Sequence, residues 1–178
     1  NPYSTIKSAL QEAWDEDTII VHDGIYTGRN NVISRKNIYL KSQNGPMKTI
    51  IDLQNNLRFL ETEDTDTTTV IEGFKIINGS GEGNGSAGYA PAFVLTNSKA
   101  TIKNCIIFNN YGRSGGGAIK IRHGSPKISN NTFVENKIGN AGYAIIYIEG
   151  EDISEKVHAT IYNNIFWGNQ TPLIHSTA

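Results

Sequence analysis

Lys120 and Arg122 stand two residues apart in the run Ala118-Ile119-Lys120-Ile121-Arg122, followed at once by His123. In an extended strand, alternate side chains share a face, so the ammonium and the guanidinium point the same way. Such a pair can neutralise a carboxylate, and an amine that sheds its proton can act as a base. The sequence also offers an ordinary reading, an exposed ion pair with Glu149 worth at most ~1 kcal/mol. A second candidate lies in Glu61-Thr62-Glu63-Asp64-Thr65-Asp66, where Asp64 and Asp66 are spaced like two oxygen ligands of a calcium loop. It lacks the glycine and distal glutamate of an EF-hand, and a solvated connection explains it as well. Glu149, Glu151 and Asp152 form another acidic group of the same standing.

The elements that position these residues announce themselves by repetition. Val70-Ile71-Glu72-Gly73-Phe74-Lys75-Ile76, Thr101-Ile102-Lys103-Asn104-Cys105-Ile106-Ile107, Lys127-Ile128-Ser129-Asn130-Asn131-Thr132-Phe133 and Thr160-Ile161-Tyr162-Asn163-Asn164-Ile165-Phe166 align. Their anchoring isoleucines are 31, 26 and 33 residues apart, so the motif is constant and the intervening length is not. A solenoid behaves this way: each repeat is one turn, and length differences sit in loops. The alignment predicts one column from Ile71, Ile102, Ile128 and Ile161, and another from Ile76, Ile107, Phe133 and Phe166. Asparagine ladders are expected at Asn104, Asn130 and Asn163 and at Asn110, Asn136 and Asn169, where stacked amides satisfy one another.

A further strand follows in each repeat. With Phe93, Ile119 and Ile146 inward, Val94, Lys120 and Tyr147 stack on the outside, beside Thr96, Arg122 and Glu149. A separate outward column is oddly apolar: Ile77, Phe108, Val134 and Trp167. It suits stacking on sugar rings, contact with another subunit, or cover by the Gly-rich segment from Asn78 to Pro91. Upstream, Ile6, Ala9, Leu10, Ala13 and Trp14 recur at helical spacing behind Ser4 as N-cap, which predicts an amphipathic helix over residues 4–14 and strands from 18 onward.

Composition bounds the rest. The chain has 178 residues, reading as a single domain over 1–178, with a net charge of −1, which gives no global field toward nucleic acid or an anionic membrane. Its 18 Gly and 20 Asn call for frequent turns. Cys105 is the only cysteine, which rules out an intramolecular disulfide and a Cys-rich metal site. Read from the repeat alignment, Cys105 is a small packing residue. No apolar run approaches the ~20 residues of a membrane-spanning helix. The four histidines, His22, His123, His158 and His175, show no metal-ligand spacing.

The units IKNCIIFNN, ISNNTFVEN and IYNNIFWGN, with GGGAIKI and SPKIS between them, resemble the repeats of right-handed parallel β-helix proteins of the pectate-lyase-like superfamily. They are also similar to β-helix repeats of bacterial surface proteins. The opening TIKSALQEAWDEDTIIVHDGIYTG resembles the start of the same proteins, with a short helix capping the stack. The resemblance implies an all-β, single-stranded right-handed parallel β-helix with an N-terminal amphipathic capping helix. It further implies a secreted or cell-surface, carbohydrate-associated module. Its partner would be an anionic, uronate-containing polysaccharide, bound or cleaved around Lys120 and Arg122 with Tyr147, Glu149, His123, Phe108 and Trp167. Calcium is the cation such chemistry takes, although the family's calcium-binding acids are not recognisable beside Lys120. The alternative is a non-catalytic structural or adhesive segment of a larger surface protein. At the far end, TPLIHSTA follows the last recognisable repeat without an amphipathic helix. The sequence therefore predicts that these residues fold over the stack, that another copy associates there, or that the chain is part of a longer protein.

Overall fold

The computed structural model describes residues 2–56, 58–81, 90–113, 116–139, 144–150, 157–170 and 172–177. Short β-branched strands, many of them ended by a residue at positive φ, wind into three six-stranded parallel sheets. The first sheet stacks Thr18–Val21, Tyr39–Ser42, Val70–Glu72, Thr101–Lys103, Lys127–Ser129 and Thr160–Tyr162. The second stacks Gly24–Tyr26, Thr49–Asn56, Lys75–Gly79, Ile106–Phe108, Thr132–Val134 and Ile165–Trp167. The third stacks Asn31–Ser34, Leu60–Glu63, Phe93–Ser98, Ile119–Gly124, Ile146–Glu149 and Ile174–Ser176. Each turn gives one strand to each sheet, and the product is a parallel β-solenoid.

The registers place like on like. Ile19, Leu40, Ile71, Ile102, Ile128 and Ile161 form one inward column. Tyr26, Ile51, Ile76, Ile107, Phe133 and Phe166 form the second. In the third sheet Leu60, Phe93, Ile119, Ile146 and Ile174 pile up beside Ile33, Thr62, Leu95, Ile121 and Ile148. The inner members are fully buried, each contributing roughly 1.5–3 kcal/mol. Phe133 and Phe166 stack nearly parallel with ring centroids 4.7 Å apart.

Both predicted asparagine columns exist, but only one is a hydrogen-bonded ladder. Asn110 Nδ2 donates to Asn136 Oδ1 at 3.0 Å, and Asn136 Nδ2 to Asn169 Oδ1 at 2.9 Å. Asn104, Asn130 and Asn163 instead sit at the corners with φ of 54°, 56° and 54°. Their side chains are exposed. The inward amides belong to the next residue: Asn131 Nδ2 donates to Asn164 Oδ1 at 3.1 Å, and Cys105 N donates to Asn131 Oδ1 at 2.9 Å. Asparagine recurs at the corner because it enters the left-handed region at low cost.

The helix is Ile6–Glu12, shorter than the expected 4–14. Its N-cap is Thr5, not Ser4. Thr5 Oγ1 accepts from Ser8 N at 3.0 Å, and Thr5 N donates back to Ser8 Oγ at 3.3 Å. Ile6, Ala9 and Leu10 are buried, while Trp14 lies past the helix end and is 81% exposed. Lys36 closes the other end, its Nζ donating to the carbonyls of Leu10 and Ala13. The tail is also unlike the expectation of a fold-over. Ile174–Ser176 pairs in parallel with Ile146–Ile148 and completes the third side of the last turn, because Ile174 continues the Ile119–Ile146 column.

Candidate functional site

The third sheet brings the sequence-derived cluster together, in a form the sequence did not foretell. Val94, Lys120, Tyr147 and His175 occupy one outward column, and Thr96, Arg122 and Glu149 the next. Glu149 takes both cations on its two oxygens: Lys120 Nζ lies 2.9 Å from Oε1 and Arg122 Nε 2.7 Å from Oε2. Lys120 points outward yet is only 3% exposed, and Val94 and Tyr147 are buried beside it. The backbone of Gly116 passes over this column. A Cβ on Gly116 would sit 2.6 Å from Ile119 O and 3.2 Å from Tyr147 Cβ, and its φ of 103° is one that side chains seldom adopt. Lys120 Nζ also lies 5.9 Å from the Tyr147 ring centroid, and Tyr147 stacks on His175 at 6.1 Å.

The ion pair exists, then, but it is not the exposed one of the ordinary sequence reading. Burial pushes the Glu149 carboxyl up, yet the hydrogen bonds and charges of Lys120 and Arg122 outweigh it and hold Glu149 below the usual glutamate value. Lys120 is bound to an ionised carboxylate and shielded from solvent, so it holds two turns together. Arg122 and Glu149 keep partly open edges toward solvent. His123 follows at φ 58°, in the left-handed region.

Phe108 and Trp167 belong to a different face. Ile77, Phe108, Val134 and Trp167 align as expected, on the outside of the second sheet. The sequence reading missed a parallel outward column, Ile25, Ile50, Lys75, Ile106, Thr132 and Ile165. Ile25, Ile165 and Trp167 are 71%, 61% and 74% exposed. Lys75 Nζ lies 5.5 Å from the Phe108 ring centroid, placing a cation on a wall that is mostly apolar apart from Asp52 and Thr132. The Gly-rich segment proposed as cover lies largely outside the described residues, as do Glu151 and Asp152.

The first sheet carries a cluster the sequence reading also missed. Tyr39 O–H donates to Glu72 Oε2, Asn104 Nδ2 donates to Glu72 Oε1 at 2.8 Å, and Lys103 Nζ lies 3.1 Å from Oε2. Lys41 and Lys103 lie 5.2 and 5.9 Å from the Tyr39 ring centroid. The hydrogen bond to Glu72, then burial, then the glutamate charge raise the Tyr39 pKa. Burial raises that of Glu72, but its donors Tyr39, Asn104 and Lys103 outweigh this and leave it lowered. A signal was available, since Lys41, Glu72 and Lys103 fall at one register position of the repeat.

The acidic stretch does not converge. Asp64 accepts from Asn97 Nδ2 at 2.8 Å and pairs with Arg35 at 3.5 Å. Asp66 caps Thr67 N and faces Lys99 at 3.7 Å. Among the described residues, no three His, Cys, Asp or Glu side chains group as metal ligands. A cleft of about 430 Å³ lies between the helix and the first turn, with Tyr3, Trp14, Ile20 and Tyr26 in its wall.

Cys105 fills a ladder position, and burial pushes its thiol pKa up to about 12. Its S–H donates to Lys103 O at 3.3 Å. Iodoacetamide at pH 8 is therefore expected to leave Cys105 unmodified in the folded protein and to alkylate it fully in urea, read by intact mass. Rapid native labelling would contradict this burial.

No protein-family model matches the sequence, and comparison with curated proteins and with solved structures finds no match.

Proposed function

We propose that this chain is a carbohydrate-associated β-helix module of a secreted or cell-surface protein, and that it binds an anionic polysaccharide without cleaving it. The observation that carries this reading is the outward wall of the second sheet, where Phe108 and Trp167 share one column and Trp167 is 74% exposed. Rings fixed two turns apart, on either side of Val134, suit the apolar faces of sugar rings along one chain. Lys75 on that wall, with Lys41 on the neighbouring sheet, supplies the charge a uronate carboxylate needs. Binding without cleavage is favoured because the amine best placed by the sequence, Lys120, is committed to Glu149 beneath the surface. The resemblance to pectate-lyase-like repeats supports a carbohydrate partner, and calcium, if used, would bridge sugar carboxylates to the module.

The test is affinity electrophoresis against polygalacturonate, alginate and glycosaminoglycans, with and without calcium, together with absorbance of unsaturated products. Retardation by at least one polymer is expected, with no product. Trp167→Ala and Phe108→Ala should each weaken binding about tenfold. Retardation unchanged by both variants would remove the wall from the account, and product formation would remove the non-catalytic reading.

A second reading has its own support. The columns run unbroken through every turn, giving a rod whose length per turn is fixed at ~4.8 Å. This geometry suits a non-catalytic structural or adhesive segment, and failure to bind any polymer in the panel would put that reading ahead.

A further inference from the structure

The two asparagine ladders have a direction, and the direction ends in donors that find no acceptor among the described residues. At each level the backbone N–H of a ladder residue donates to the side-chain oxygen of the asparagine one turn later. Cys105 N reaches Asn131 Oδ1, and Asn131 N reaches Asn164 Oδ1, both at 2.9 Å. In the other ladder Gly79 N, Asn110 N and Asn136 N reach Asn110, Asn136 and Asn169 Oδ1 at 2.8, 3.1 and 2.9 Å. The series stops at Asn164 and Asn169, whose own N–H groups meet no acceptor among the described residues.

The apolar columns stop at the same level. Ile128 and Phe133 are wholly buried one turn earlier, whereas Ile161 and Phe166 are only partly covered. Whatever satisfies this end must bring two amide oxygens five residues apart, an apolar side chain between them over Phe166, and another ahead of them over Ile161. The segment Lys127–Asn136 has that pattern in Ile128, Asn131, Phe133 and Asn136, and it already presents these oxygens and apolar side chains in this way to the turn before it, Thr101–Asn110. The opposite end of a second copy does not fit. Gly24 holds the corresponding ladder position there, and the helix Ile6–Glu12 packs across that end.

We infer that the C-terminal end of the stack is a docking face for a further parallel β-helix turn, supplied by another polypeptide segment that carries asparagine at both ladder positions. Two backbone donors with no acceptor among the described residues set its register, and the half-covered apolar pair sets its depth. This inference stands apart from the glycan reading, since it uses neither the outer wall nor the lysines.

The experiment attaches a copy of the sequence Lys127–Asn136 to the C-terminus of the full chain through a flexible Gly-Ser linker, which holds the copy at millimolar effective concentration. A second version carries Asn131→Ala and Asn136→Ala in the attached copy alone. Amide hydrogen exchange at Asn164 and Asn169 is read by NMR. The asparagine copy should slow both amides about tenfold, and the alanine copy should leave them within about twofold of the unextended chain. No slowing with either copy would overturn the inference. Equal slowing with both would overturn it too, by showing an apolar cover with no asparagine selectivity.

Discussion

Asn136→Ala is expected to destabilise the fold by about 3–5 kcal/mol, measured by urea unfolding followed by circular dichroism. The Asn136 side chain donates to Ile107 O at 2.8 Å and Asn169 Oδ1 at 2.9 Å, and accepts from Asn110 N at 3.1 Å and Asn110 Nδ2 at 3.0 Å. The residue is fully buried, so truncation leaves the Ile107 carbonyl and the Asn110 amide without water to replace the lost partner. Each such group costs about 1–3 kcal/mol, and the vacated space adds to it. The corner residues provide the contrast. Asn130→Ala removes no ladder bond and loses only the ease of the left-handed backbone, about 1 kcal/mol. Equal losses at Asn136 and Asn130 would contradict the assignment of ladder and corner.

Glu149→Ala is expected to cost about 3 kcal/mol, because it leaves the Lys120 ammonium buried with no counter-ion and Arg122 without its nearest carboxylate. Breaking a buried pair from one side costs about 3–5 kcal/mol, and the partial exposure of Glu149 and Arg122 places this case at the lower end. Lys120→Met combined with Glu149→Leu should recover most of the loss, since no charge is then left buried. The pH dependence has a fixed sign. The folded Glu149 pKa lies below its usual value of 4.5, so its contribution is fully present above about that pH and is lost as pH falls through the folded value. Glu149→Gln should therefore flatten part of the acid limb of the stability curve as pH falls below about 4.5. Glu72 and Asp66 are lowered as well, so a residual limb should remain. A limb of unchanged steepness in the glutamine variant would contradict the role given to Glu149.

The solenoid was legible because its signals are periodic. Ile71, Ile102, Ile128 and Ile161 each open the same motif, and a motif that repeats while its spacing varies has few packing solutions other than stacked turns. The ladder between the first two sheets was misplaced by one residue for a physical reason. Two adjacent positions both favour asparagine, one for its backbone and one for its amide. The corner position is asparagine in three of the four aligned repeats and Gly73 in the other, while the ladder position admits Phe74 and Cys105 as well as asparagine. Constancy in the alignment therefore marked the conformational requirement, and the hydrogen-bonding position beside it looked less regular.

Lys120 and Tyr147 show where alternation runs out. The pattern correctly turned them away from the core, but a position facing away from the core is open to solvent only if nothing folds over it. Gly116 comes from a connection whose path no strand periodicity encodes, and it lies against Tyr147. The same limit explains why Phe108 and Trp167 were grouped with Lys120. Their order along the chain was evident, whereas their separation onto the second and third sheets depends on the turn geometry at the corners. The Tyr39–Glu72–Lys103 cluster was missed because the repeat alignment began at Val70, which left Tyr39 and Lys41 outside the columns they belong to.

The central claim is that residues about thirty positions apart lie side by side in parallel register. Thr132 and Ile165 are such partners on the outward face of the second sheet, 33 residues apart in sequence. Strands ~4.8 Å apart bring paired positions within the Cα separation that a disulfide spans. In a Cys105→Ala background, Thr132→Cys with Ile165→Cys should oxidise to an intramolecular disulfide, visible as a 2 Da mass loss. Thr132→Cys with Trp167→Cys, displaced two residues along the strand, should not. Cross-linking of the displaced pair, or of neither pair, would contradict the stacked-turn account.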